Sequence, residues 1–534
     1  MNIRKIFTLI AITALLFSCR EQGKGWTVDA LVPLVDSRID LQNIFEDSII
    51  TPGKNGVLNL VYNTKAFDFK LQDYSTKDTI LENKWSTPIE IQWNKRIPLV
   101  ADTNKTNLDI SDVGLTEAII GSGSIKIDIE SLIREEITIS YVIPSAFKNG
   151  VPLKITRTLP ASGGIGNPTL ASETIKLDGY TINLQGQNKN EYNTFIYYLE
   201  VEFTNPTTPD TIYVYKPTDE ILITQTVSEI KPIYGKGVFY TQSVSVDNND
   251  DDTLDIFDPI IAGNLRLEEA SLSLDLVNYI GSDIQGNISQ VQSINTGSND
   301  SISITGPILG KTINITRAGT NNNIGFPPVN PSYYSLVVNQ NNSNINELIE
   351  ILPDLFKYTV DFTINPQGNS SGSNDYFYTE HGIEGYLNVE IPMSITADNL
   401  TLVDTTEFTS DEEEELKNVI GGNINIHVEN WYPFKTDIQI TLLDIHGSEL
   451  IDMFIENSEI AAAQVESDGQ VKTPVKSILY APVDQDKLTE YYKAEKAIIK
   501  LKFNTEGEDF KKIYSNYFCG VKLVGDINYN LVLD

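Results

Sequence analysis

The sequence predicts an all-β protein built of several antiparallel β-sandwich domains in tandem, with a few short packing helices. Three observations predict it. Apolar and polar residues alternate with period two through most of the chain, as in Ile125, Ile127 and Ile129 against Lys126, Asp128 and Glu130. The alternating runs are separated by loops rich in Asn, Gly, Ser, Asp and Pro, such as Gly163-Gly164-Ile165-Gly166-Asn167-Pro168. Helical periodicity is confined to three short stretches.

Taken in order, the chain opens with Arg4 and Lys5 followed by an apolar run from Ile6 to Phe17, closing on Ser18-Cys19. This is the pattern of a lipoprotein signal: a basic region, an apolar region too short to span as a helix, and a small residue before cysteine. Residues 1–18 are expected to be cleaved, leaving Cys19 as the acylated first residue. Acyl chains anchor a protein through the burial of their methylene groups, at ~0.8 kcal/mol each. Loss of Arg4 and Lys5 takes the formal charge from −34 to −36. Such an acidic body repels phosphate backbones and anionic headgroups, which excludes nucleic acid as an expected partner. Cys519 is the only cysteine after Cys19, so the mature chain is expected to rely on its cores rather than on a disulfide.

At about 100–200 residues per domain, the expected division is 19–115 for an N-terminal β domain with its tether, then sandwiches at 116–245, 246–403 and 404–534. Further strands are expected at Ile137 to Tyr141, Leu199 to Phe203, Tyr358 to Ile364 and Leu387 to Ile391. One helix is expected near 345–352, where Ile345, Leu348, Ile349 and Leu352 share a face. Asn344 and Glu347 read there as a capping box, and Pro353 as the stop. A second is expected near 411–419 from Ser410 with Glu413, its acidic run lying at the positive end of the helix dipole. A third is expected near 486–495.

Two segments read as copies of one unit. Leu272-x-Leu274-x-Leu276-Val277-Asn278-Tyr279-x-Gly281 and Ile424-x-Ile426-x-Val428-Glu429-Asn430-Trp431-x-Pro433 each run a strand into an asparagine, an aromatic and a breaker. The asparagine is expected to bond its own backbone and turn the chain. This unit is similar to the late-embryogenesis-abundant type 2 sandwich, itself fibronectin-like. The chain as a whole resembles the large envelope lipoproteins of Bacteroidota, whose mature regions often begin with tryptophan and an apolar-proline stretch, as in Trp26-Thr27-Val28-Asp29-Ala30-Leu31-Val32-Pro33-Leu34. That resemblance implies an outer-membrane location. The run Cys19-Arg20-Glu21-Gln22-Gly23-Lys24 lacks the acidic cluster of surface-exported members, which implies the periplasmic face.

No catalytic constellation emerges. His381, His427 and His446 have no metal-ligand spacing. Gly368-Asn369-Ser370-Ser371-Gly372 matches a nucleophile elbow in letters alone, without the strand and helix that the elbow needs. Cys519 has no basic neighbour and reads as a core residue. One candidate metal site remains, for calcium: Asp247, Asn249, Asp251, Asp255 and Asp258 fall at calcium-loop spacing, although Asp252 stands where the loop needs glycine. Tyr192, Tyr197, Tyr198, Tyr213, Tyr215 and the pair Tyr333-Tyr334 are candidates for sugar stacking or for sandwich cores. The expected function is that of a non-enzymatic structural or accessory subunit of a cell-envelope assembly, its partner an outer-membrane complex or integral β-barrel. The alternative is a surface glycan-binding or adhesive lipoprotein with calcium-stiffened sandwiches.

Overall fold

The computed structural model describes residues 26–531, except 46–48, 54, 72–73, 249–254, 322–325, 410–418 and 485–486. The architecture is all-β, with antiparallel pairing between its strands. The alternation read in the sequence is what folds it. Ile125, Ile127 and Ile129 point into a sandwich and are buried, as are Ile137, Ile139 and Tyr141 and also Leu199, Val201 and Phe203. Each such side chain contributes roughly 1.5–3 kcal/mol on burial.

The strand pairings resolve into three modules of eight strands. The first comprises Trp26–Ile39, Ser394–Glu407, Val419–Asn430, Lys435–Leu443, Glu449–Asp452, Val475–Val483, Lys496–Asn504 and Cys519–Leu531. The second comprises Leu58–Phe69, Gln242–Asp247, Ser271–Asn278, Ile284–Asn295, Asp300–Ser303, Ser332–Asn339, Leu355–Ile364 and Ile383–Pro392. The third comprises Thr79–Trp85, Val100–Asn107, Val113–Ser131, Ile137–Lys148, Val151–Leu159, Thr169–Lys176, Thr194–Phe203 and Ile221–Phe239. With strands counted along the chain, every module pairs them in the same two orders, 1-8-3-6 and 2-7-4-5. That is the double-sheet jelly-roll arrangement.

The modules are nested. The third is inserted between strands 1 and 2 of the second, and both together lie between strands 1 and 2 of the first. Trp26 therefore pairs with Leu531 and Ile39 with Cys519. The domain edges expected near 115, 246 and 404 fall inside strands Val113–Ser131, Gln242–Asp247 and Ser394–Glu407. Nor do residues 26–107 form a unit of their own, because their strands supply partners to sheets completed far downstream. Neighbouring modules also exchange strands. Ile260–Leu267, from the second module's chain, extends a sheet of the first beside Ser394–Glu407, and Asp375–Tyr378 pairs with Tyr234–Gly237 of the third. The first of these pairings bulges at Gly263, whose φ is +92° and where a Cβ would lie 2.1 Å from the Asn399 carbonyl oxygen.

The two sequence copies occupy equivalent places, at the end of strand 3, and the third module holds a further version. Asn278 accepts from the Ile280 N–H (2.8 Å), Asn430 from the Tyr432 N–H (2.9 Å), and Ser131 Oγ from the Ile133 N–H (3.2 Å). In each case the residue two positions on is buried, and the chain crosses to the opposite sheet.

Helices Ile345–Glu350 and Leu488–Lys493 precede strand 7 of the second and first modules. The Asn344 capping box does not form. Its carbonyl oxygen accepts from Thr305 N, while its amide reaches Glu347 at 3.2 Å. The helix expected at 411–419 lies mostly outside the described residues, and its end differs, because Val419 already begins a strand. No helix among the described residues is long and apolar enough to cross a membrane.

Candidate functional site

Cys19 lies outside the described residues, as do Asn249 and Asp251 of the candidate calcium loop. Asp247 ends an edge strand opposite Thr359, Asp255 opens the short 3-10 turn Asp255–Phe257, and Asp258 is exposed. The side chain that follows Asp247 is already committed to the neighbouring strand. Asn248 donates to the Phe356 carbonyl (2.5 Å) and accepts from Tyr358 N (2.8 Å). Among the described residues, no group of three or more His, Cys, Asp or Glu converges on one point.

The other sequence candidates are scattered. His427 and His446 are exposed, and His381 packs against Tyr279 with ring centroids 5.3 Å apart. Gly368 to Gly372 form an exposed turn between two strands, with no helix after it. Cys519 is fully buried, and burial pushes its thiol up to about 12, which makes it inert at neutral pH. Tyr197, Tyr213 and Tyr215 are core residues, whereas Tyr192, Tyr198 and Tyr333 face outward.

The densest constellation is one that sequence reasoning did not find. It lies at the end of the third module opposite the junction with the second. Strand pairs Trp85 with Ile221, Ile221 with Ser131, and Ser131 with Thr169 close the sheet there. Four connections meet beyond that line, residues 86–99, 132–136, 160–168 and 204–220. They carry a two-stranded ribbon, Ile91–Asn94 with Ile212–Tyr215, whose inner face sets Trp93 against Tyr215 and Tyr213 against Phe203.

Two ionic clamps hold this end. Arg134 makes a fork to Asp219 through Nε (3.0 Å) and Nη2 (2.9 Å), and Nη2 also donates to the Val214 carbonyl. Asp219 is buried and accepts in addition from the Tyr213 hydroxyl (2.8 Å) and the Lys216 N–H (3.0 Å). Burial alone would raise its carboxyl. The Arg134 guanidinium, the Lys216 N–H and the Tyr213 hydroxyl together outweigh burial and hold it below the usual carboxylate range. The second clamp is Lys95, whose side chain is fully buried with Nζ 2.5 Å from Glu135 Oε2. No hydrogen bond of good angle accompanies that ion pair, so the attraction is coulombic and undirected.

The arrangement fixes four connections to one another. It offers a planar charged fork, a buried ammonium and aromatic packing. Arg134 and Asp219 are 85 residues apart in the chain and come together only because strand 3 pairs with strand 8. The one local sign was a Lys-Arg pair at 95 and 96 at the end of a strand-like run.

No family model and no curated protein matches the chain. Among solved structures, it is similar to a protein from Parabacteroides distasonis described as secreted, at 14% identity over 53% of this chain and 82% of that one, with a TM-score of 0.28. A peptide-N(4)-(N-acetyl-β-D-glucosaminyl)asparagine amidase matches at 13% identity over 63% and 98%, with a TM-score of 0.12. A structure of Sulfolobus turreted icosahedral virus matches at 10% over 82% and 91%, with a TM-score of 0.10. These scores are too low to bear on function.

Proposed function

We propose that the chain is a non-enzymatic lipoprotein of the outer membrane, anchored through Cys19 on the periplasmic face, that serves as a structural or accessory subunit of an envelope assembly. The observation that carries this reading is the pairing of Trp26–Ile39 with Cys519–Leu531. An acyl group on Cys19 would be joined to that first strand by residues 20–25 alone, so the first module would be held at the bilayer. The chain then threads outward through the second module to the third and returns. Such a layout suits a standing scaffold, and strand exchange between modules ties it together. The partner expected is an integral β-barrel or its complex. The test is purification of a tagged copy from native membranes in mild detergent. Stoichiometric recovery of an integral outer-membrane protein supports the reading, and recovery of the chain alone defeats it.

A second reading is favoured by the outer face of the second module. There Tyr333 stands exposed opposite Val277, in a row with Glu384, and Tyr386 bonds Glu384 through its hydroxyl (2.8 Å). Asn388 is fixed there by Ser273 and Asp275. Aromatic faces beside fixed amides and carboxylates suit stacking on a sugar. In this reading the protein is surface-exposed and calcium binds at 247–258. Protease treatment of intact cells separates the two readings, and calorimetry with calcium, before and after replacement of Asp247 and Asp251, tests the metal.

A further inference from the structure

The free end of the third module displays six large aliphatic side chains to solvent: Ile89, Ile97, Ile165, Leu170, Ile212 and Val214, between 40% and 76% exposed. Five come from three connections and Leu170 from the start of strand Thr169–Lys176, and the sheet pairings gather them at one end. Gathered exposure of this kind marks an interaction site, whereas single exposed aliphatics are ordinary.

The display is built. Ile165 is the most exposed of the six. It sits between Gly164 (φ +84°) and Gly166 (φ +82°) in a turn closed by Gly163 N to Asn167 O (3.0 Å) and Asn167 N to Gly164 O (3.0 Å). Both glycines occupy the left-handed region that side chains avoid, so the turn holds the isoleucine at its apex. The Trp93 indole N–H donates to the Ile97 carbonyl (3.1 Å), and the Thr87 hydroxyl donates to the Ile89 carbonyl (2.6 Å). Ile212 and Val214 share the outer face of the ribbon whose inner face is the aromatic layer.

Several of the charges here are paired locally. Lys84 pairs with Glu220, Lys95 with Glu135 and Arg134 with Asp219. With Arg96 and Lys216 against Glu90, Glu136 and Asp210, the four connections carry a net −2, so this end is mildly acidic like the rest of the chain. An uncharged surface is therefore the one that this end can approach without repulsion. The six side chains are all aliphatic, whereas the anchors of protein interfaces are enriched in Trp, Tyr and Arg and poor in Leu and Val. Hydrocarbon, by contrast, rewards aliphatic burial directly.

We propose that the free end of the third module is a membrane-contact site, inserting its aliphatic turns into the interfacial layer of an uncharged lipid bilayer. The site is independent of acylation and lies at the opposite end of the chain's path from Cys19.

The test is co-flotation of the chain from residue 19 onward, carrying Cys19→Ser so that it cannot be acylated, with vesicles of pure phosphatidylcholine. The expected result is binding that falls at least about tenfold in the variant Ile89→Thr/Ile97→Thr/Ile212→Thr/Val214→Thr. Binding should persist in the control Ile445→Thr, which alters an equally exposed aliphatic in the first module. Phosphatidylglycerol vesicles should bind more weakly than phosphatidylcholine. Thermal unfolding of each variant checks that it is folded, and Ile165→Ser alone, at a turn apex, serves if the fourfold variant is not. The proposal is overturned if the unacylated protein ignores phosphatidylcholine, if it prefers phosphatidylglycerol, or if the control loses binding as the variant does. It is equally overturned if the substitutions change only self-association in sedimentation, which would make a second copy the occupant.

Discussion

Asn278 and Asn430 stand 152 positions apart and do the same work: each is fully buried and accepts from the N–H two residues ahead, at 2.8 and 2.9 Å. Each also donates across the sandwich end, Asn278 to the Thr316 carbonyl and Asn430 to those of Phe434 and Ala461. Replacing either by alanine leaves a buried N–H without its acceptor, a loss of about 1–3 kcal/mol, and Asn430→Ala also removes the donor to the Ala461 carbonyl, whereas the Thr316 carbonyl keeps the Ser332 hydroxyl. Urea unfolding should show Asn430→Ala costing at least as much as Asn278→Ala. Ser131→Ala, which removes one acceptor at 3.2 Å, should cost less than either.

Acid should loosen the free end of the third module first. The Asp219 carboxyl is held below its ordinary range, so the stability it contributes is full above the unfolded carboxylate value near 3.9 and is lost as pH falls toward its lower folded value. Asp219→Asn should therefore be less stable than the parent at pH 7, and the gap should be smaller at about pH 3. A constant gap at both pH values would mean that the charge on Asp219 is immaterial. Asp375 carries the opposite sign. Burial raises its carboxyl despite the Phe239 N–H and Arg317, so its charge opposes folding at neutral pH and the protonated form is the better accommodated.

The Lys95–Glu135 pair should respond asymmetrically. Glu135→Gln leaves a fully buried ammonium without its counter-charge, whereas Lys95→Met leaves a carboxylate that retains some solvent. Denaturant midpoints should rank Glu135→Gln as the more damaging by roughly 2 kcal/mol or more. The double variant Lys95→Met/Glu135→Gln should recover most of that loss.

Between the two sheets of the second module lies an apolar void of about 40 Å³, lined among others by Phe67, Leu274, Ile288, Val291, Val360 and Leu387. Val360→Ile keeps the β-branch and adds one methylene toward that space. It should raise stability by about 0.5–1 kcal/mol, read as a higher urea midpoint with an unchanged slope. A lower midpoint would mean that the void cannot take the added atom without strain.

Alternation and loop composition made the strands legible, and the two asparagine turns were visible as a repeated pattern. The nesting was not. Period two fixes which face of a strand is buried and says nothing of which strand lies beside it, so Trp26–Ile39 gave no sign of its partner at 519–531. The third copy was hidden because Ser131 replaces the asparagine and Leu132 the aromatic. The expected edge near 246 fell on Gln242–Asp247 because that strand lies at the edge of its sheet and buries no residue fully, which in sequence resembles a polar linker. The clamps at Arg134 and Lys95 were illegible for the same reason as the nesting, since each is a product of pairing at long range.

Insertion of each module between strands 1 and 2 of the next also dictates an order of assembly. The third module occupies one unbroken stretch, 79–239, and can close as soon as that stretch is available. The second must wait for 383–392 to return to 58–69, and the first for 519–531 to return to 26–39. Because the entropy of closing a loop grows with its length, an inner module that has already condensed shortens the effective loop for the next. The chain should therefore mature from the inside outward. Its amino-terminal strand, first to emerge and last to find a partner, is the segment most in need of protection by a holding factor.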